Sequence, residues 1–109
     1  WDGPALWLHG DPHPGNLVVR DGALAAIVDF GDLTSGDPAS DLATAWLTFD
    51  PAGRAAFRAA LPYDEATWVR ARAWAAALVP VLRAHPAELP LLDAAGRHAT
   101  QQLRLDDPG

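Results

Sequence analysis

The sequence predicts a small α+β fold, with one β hairpin near the front of the chain and helices from there to the end. Three observations carry this. Asp21-Gly22 lies between two aliphatic runs, Leu17-Val18-Val19 and Leu24 to Val28, the pattern of a two-residue hairpin turn. From Pro38 onward, apolar residues recur at helical spacing and are interrupted by Asp-Pro and His-Pro pairs. The 109 residues, 50% hydrophobic and 20% charged, suffice for one hydrophobic core and hence a single domain over 1–109.

In chain order, Ala5 to Leu8 reads as a short strand that leads into the loop His9-Gly10-Asp11-Pro12-His13-Pro14-Gly15-Asn16. Gly10, Pro12, Pro14 and Gly15 exclude a regular helix or strand there and imply a shaped surface loop. The hairpin follows, and its second strand ends in Asp29-Phe30-Gly31-Asp32; Leu33 to Pro38 reads as another loop. Asp37-Pro38 supplies an N-cap and a first-turn proline for a helix from Pro38 to about Phe49, with Leu42, Ala43, Trp46 and Leu47 on one face. Asp50-Pro51 ends that helix and starts another, Ala52 to Ala60, with Phe57 inward. Asp64 caps a long helix through Trp68, Val69, Trp74, Leu78 and Val79, with a kink or an end expected at Pro80. His85-Pro86 marks a turn, and a last helix spans about Ala87 to Leu103, with Pro90 in its first turn and Gly96 midway. Asp106-Asp107-Pro108-Gly109 reads as a frayed tail. Trp46, Trp68 and Trp74 are expected in the core, the arginines of 54–104 on a solvated helical surface, and His85 and His98 without a role.

Charge is uneven. Residues 1–50 hold eight Asp against one Arg, residues 51–109 six acids against seven Arg. An acidic front half argues against a nucleic-acid partner and favours metal ions and a cationic substrate. The bland alternative is that Asp is the common turn and cap residue of a loop-rich segment. Absence of Cys excludes disulfides and cysteine zinc sites and is compatible with the cytoplasm. No apolar run is of membrane-spanning length, so no membrane partner is expected.

The hairpin is expected to bring Asp11, Asn16 and Asp29 to one end of a small sheet. That set suits phosphoryl transfer. Magnesium takes hard oxygen ligands, usually only one or two from protein, which Asn16 and Asp29 can supply. A separate carboxylate, Asp11, is available to orient and deprotonate an attacking hydroxyl. A rival is a metal-dependent hydrolase in which the H-x-D-x-H run His9, Asp11, His13 clasps zinc. Pro12 and Pro14 spoil the strand that would place those three on one face, and the rival leaves Asn16 and Asp29 unexplained.

The order HGD-x4-N, then IVDFGD, then GDPASDLA resembles the aminoglycoside phosphotransferase and choline kinase group, relatives of the protein kinases, over roughly residues 5–50. The resemblance implies a protein-kinase-like C-terminal lobe, the hairpin carrying the catalytic and metal loops ahead of a helical bundle. It implies transfer of the γ-phosphoryl group of ATP or GTP to a hydroxyl of a small-molecule acceptor, with Asp11 catalytic and Asn16 and Asp29 holding Mg2+. His13 would touch phosphate or substrate. His9 would brace the loop, Asp32 would approach metal or substrate or cap its loop, and Asp41 would tie down the loop backbone. A kinase-type site also needs a lysine on the phosphates and a glycine-rich lid. The chain has no Lys, and its nine Gly never form G-x-G-x-x-G. With no Met and an opening Trp1, it is therefore expected to be a C-terminal lobe whose N-terminal nucleotide lobe lies upstream. The alternative from a different class is a catalytically inactive, truncated or degenerate kinase-like binding module.

Overall fold

The computed structural model describes residues 1–106. Four short strands come first: β1 (Leu6–Leu8), β2 (Leu17–Arg20), β3 (Ala23–Ile27) and β4 (Thr34–Gly36). Five helices follow: α1 (Ala39–Leu42), α2 (Thr44–Leu47), α3 (Pro51–Ala59), α4 (Glu65–Leu82) and α5 (Pro90–Leu105). This is an α+β arrangement, with the antiparallel strands preceding the helices. None of the described helices is long and apolar enough to cross a membrane.

The strands form two separate antiparallel pairs, β2–β3 and β1–β4. In the hairpin, Asp21 and Gly22 both have positive φ, 54° and 78°, which the right-handed twist of a two-residue turn demands. Leu17 pairs with Ile27 at the far end, so Asn16 and Val28 leave the ladder side by side. The second pair corrects the reading of Leu33 to Pro38 as loop: Thr34–Gly36 pairs with Leu8–Leu6. Thr-Ser-Gly carries no hydrophobic alternation; its extended form comes from the partner backbone, which no local pattern reveals.

The helix expected over Pro38–Phe49 is two short helices meeting at Ala43, whose carbonyl accepts from the N–H groups of both Trp46 and Leu47. Ala39, Ala43, Ala71 and Ala75 are all fully buried, so α1, α2 and α4 approach closely through methyl groups. Asp50 and Asp64 cap α3 and α4, accepting from Gly53 N–H at 2.8 Å and Thr67 N–H at 2.9 Å. The end expected as one alternative at Pro80 does not fall there; α4 runs two residues past it, to Leu82. There the missing N–H costs only one bond near a terminus. The last helix starts at Pro90, three residues later than the reading from Ala87, because proline keeps Leu89 out of the helical region (φ −130°, ψ 64°).

The core gathers Leu42, Trp46, Leu47 and Trp68 with the buried alanines. Two side-chain expectations need correction. Trp74 is 47% exposed, because α4 buries the stripe Thr67, Trp68, Ala71, Ala75 and Leu82 and Trp74 falls at its edge. Arg54 belongs to the core rather than to a solvated surface. Its guanidinium donates to Gln102 Oε1 at 3.1 Å and Ala45 O at 3.4 Å, and stands 5.7 Å from the Trp46 ring centroid. Of the expected tail, Asp106 is tied in by the Trp46 indole N–H at 3.1 Å; residues 107–109 lie outside the described ones.

Candidate active site

The polar loop between β1 and β2 is not wholly irregular, since Pro14–Asn16 closes one 3-10 turn. His13 starts it, its Nδ1 accepting from the Gly15 N–H at 3.1 Å. A Cβ on Gly15 would lie 2.8 Å from the His13 ring, so glycine allows that closure. With Nδ1 accepting, the ring proton sits on Nε2, which faces Asp11 Oδ2 at 3.5 Å. Asn16 is buried, and its amide donates to the Asp11 carbonyl at 2.8 Å and, more weakly, to Asp11 Oδ2 at 3.4 Å. The Asp11 carboxylate thus stands half-exposed between an imidazole and an amide N–H.

His9 links this loop to the one after β3. Its Nδ1 accepts from Asp11 N–H at 3.1 Å and its Nε2 donates to the Val28 carbonyl at 2.7 Å. The Val28 N–H donates in turn to the Asn16 carbonyl at 2.9 Å. Both polar groups of the Val28 peptide are therefore held by the first loop, and Asp29 is the next residue. Asp29 has φ 61°, a conformation aspartate tolerates better than most residues but not freely. The Phe30 ring packs 4.7 Å from the His9 ring. Gly10, at φ 94°, meets the same second loop: a Cβ there would lie 2.2 Å from the Asp32 carbonyl oxygen.

A third element reaches in from the helices. One Asp41 carboxylate accepts from the N–H groups of His9, at 2.7 Å, and Gly10, at 3.0 Å. Bonds from two peptide N–H groups to one carboxylate are of the stronger, charge-assisted kind. Nearby, Arg70 donates to both oxygens of Asp37 (2.9 and 3.3 Å), and this hydrogen bonding, with that from Ala39 N–H, holds the Asp37 carboxyl below its ordinary pKa against a smaller opposing effect of burial.

The structure thus brings His9, Asp11, His13, Asn16 and Asp41 into one hydrogen-bonded unit. Asp29 is fixed beside it through Val28, and the Asp32 backbone lies against Gly10. The Asp29 and Asp32 side chains are exposed and make no hydrogen bond to the unit among the described residues. Their oxygens, with the Asn16 Oδ1 that its donating amide leaves over, are hard donors of the kind Mg2+ prefers. No group of three His, Cys, Asp or Glu side chains poised for a metal occurs among the described residues. Such a preassembled cage is not what magnesium requires when phosphates and waters complete its shell. For zinc the donor set fits poorly, because both nitrogens of His9 are spent on Asp11 and Val28. Sequence reasoning passed over His98, whose Nε2 donates to Phe49 O at 3.1 Å and whose ring borders a cavity beside Pro14 and Gly15. Only the fold brings α5 to the loop, so no local pattern could have marked it.

The family to which this sequence belongs is one of kinase-like phosphotransferases. The family model described as the phosphotransferase enzyme family (APH) matches residues 1–78, and the chain belongs to that family. Its kinases generally use ATP and Mg2+. No curated protein and no solved structure matches the chain.

Proposed function

We propose that this chain is the catalytic C-terminal lobe of a small-molecule kinase, moving the γ-phosphoryl group of ATP or GTP to an acceptor hydroxyl. The observation that carries the reading is the clamp on Val28, which ties the Asp11–Asn16 loop to Asp29 in a member of the phosphotransferase family. Asp11 orients the acceptor hydroxyl and takes its proton, late if the transition state is loose. The His13 Nε2–H and the Asn16 amide direct the lone pairs of that carboxylate. Asn16 and Asp29 would hold Mg2+, which supplies charge neutralisation at the phosphates when bound. Asp41 keeps the His9 and Gly10 peptides, and with them Asp11, in place.

Nothing in the chain offers a lysine to the nucleotide phosphates. The reading therefore assigns that task to an upstream lobe. The exposed side chains of Val19, Leu24, Ile27 and Phe30 support it, as an apolar surface of the kind a second lobe covers. The chain alone would then be idle, and the reaction belongs in the cytoplasm, where ATP is abundant.

The test is Mg2+-dependent nucleotide consumption by the two-lobed protein with a panel of alcohols. Asp11→Ala should lower turnover by about 10³-fold while leaving nucleotide affinity nearly unchanged. Asp29→Ala should lose both Mg2+-dependent nucleotide binding and turnover. Wild-type turnover in Asp11→Ala would sink the assignment, and no turnover by the intact protein with any acceptor would favour the inactive binding module.

A further inference from the structure

A cavity of about 370 Å³ lies between the loop and the helices, walled by Pro14 and Gly15 on one side and by Leu47, Leu91, Ala94 and His98 on the other. We infer that it seats the acceptor, and that the acceptor is an uncharged alcohol with a compact apolar body rather than a cation; this rests on the phosphotransferase reading. Pockets of this size hold small organic molecules, and the Pro14–Gly15 wall belongs to the same turn that fixes Asp11 through His13 and Asn16.

The selectivity follows from the lining. Among the described residues, no Asp or Glu borders the cavity. Of its polar neighbours, Thr48 shares its hydroxyl hydrogen bond with Thr44 at 2.7 Å, and His98 spends Nε2 on the Phe49 carbonyl. The His98 Nδ1 is left as an acceptor, suited to a second hydroxyl and not to a quaternary ammonium. Leu91 is 79% exposed, an apolar side chain at the rim with little of the protein upon it. A cation entering here would give up hydration without a carboxylate to replace it.

The acidity of the front half does not contradict this, because none of its carboxylates borders the cavity. Asp37 is paired with Arg70, Asp41 with the His9 and Gly10 peptides and Asp50 with Gly53 N–H, while Asp21 sits in the hairpin turn. The exposed Asp29 and Asp32 belong to the loop after β3 and lie outside the lining.

Choline and its neutral carbon isostere 3,3-dimethylbutan-1-ol differ in charge at nearly equal shape and provide the test. Titrated without nucleotide into the intact protein and followed by NMR, the neutral alcohol should shift the Leu91 and Ala94 methyl and His98 ring signals saturably. Choline should bind at least about tenfold more weakly. Ala94→Phe, at an exposed helical position, should abolish the shifts without moving the melting temperature, and Leu91→Ser should weaken binding several-fold. Choline binding as tightly as the alcohol, no saturable shift, or shifts that survive Ala94→Phe would overturn the inference. Nucleotide consumption is read separately. Transfer to a cationic acceptor that ignores Ala94→Phe would overturn the cavity assignment and leave the phosphotransferase reading standing. Alcohol binding with no transfer to any acceptor would do the reverse.

Discussion

Residues 6–36 and residues 39–105 are held by different means. The helical half has a conventional interior of Trp, Leu and close-packed Ala. In the strand half only Leu8, His9 and Asn16 are buried, and two of those three are polar. Its order comes from side chains bonded to backbone: His9 to Val28, Asn16 to Asp11, His13 to Gly15. Apolar packing is tolerant of small shifts and sets how stable a fold is. Directed hydrogen bonds are less tolerant and set where a carboxylate points. Asp41 joins the two, standing on α1 with its carboxylate on the loop.

The comparison breaks if substitutions on the two sides have the same consequences. Trp46→Ala should be the most destabilising, by about 4 kcal/mol, since it opens a cavity and strips Arg54 of its aromatic neighbour. Turnover per folded molecule, measured well below the melting point, should nevertheless stay near wild type. Asp41→Ala should cost about 3 kcal/mol, because it leaves the His9 and Gly10 N–H groups without their acceptor. Here turnover should fall by more than the folded fraction measured by circular dichroism accounts for. Equal loss of turnover in the two variants, once corrected for unfolding, would erase the distinction.

The smallest effect sharpens the boundary between the halves. Asp37→Asn keeps an acceptor for Ala39 N–H but removes the charge facing Arg70, and should cost about 1 kcal/mol at neutral pH, as both partners are partly exposed. Because folding lowers the Asp37 pKa, its contribution is complete above the unfolded value of about 3.9 and disappears as pH falls through the lower folded value. The melting-temperature gap between wild type and Asp37→Asn should therefore be open at pH 7 and narrow progressively as pH is lowered below the unfolded value. A gap that persists in acid would assign the effect to something other than charge.

Much of the fold was legible where a residue's chemistry acts locally. Asp21-Gly22 dictated the turn, and Asp50 and Asp64 announced the starts of α3 and α4. Features that depend on a distant partner were not. The β4 strand is extended because β1 pairs with it, and Arg54 is buried because Gln102, 48 residues away, accepts its hydrogen bond. Trp74 misled for the same reason: helical spacing shows that a side chain lies near a face, while neighbouring helices decide where that face ends. At the site, the motif spacing singled out Asp11, Asn16 and Asp29. The two bonds to the Val28 peptide and the placing of His98 beside the loop belong to tertiary structure alone.

The hold on Val28 has a consequence for the hairpin itself. Its base is anchored at both ends, Leu17 against Ile27 and Val28 against the preceding loop, while its tip at Asp21-Gly22 touches nothing that a Cβ would meet. Length added at the tip is absorbed there, and the separation of Asp11 from Asp29 does not register it. Residues added between Asp11 and Asn16 have no such buffer. The hairpin tip is in that sense a permissive port, where a short insertion at Asp21-Gly22 should leave the alignment of the chemistry a few residues away unaltered.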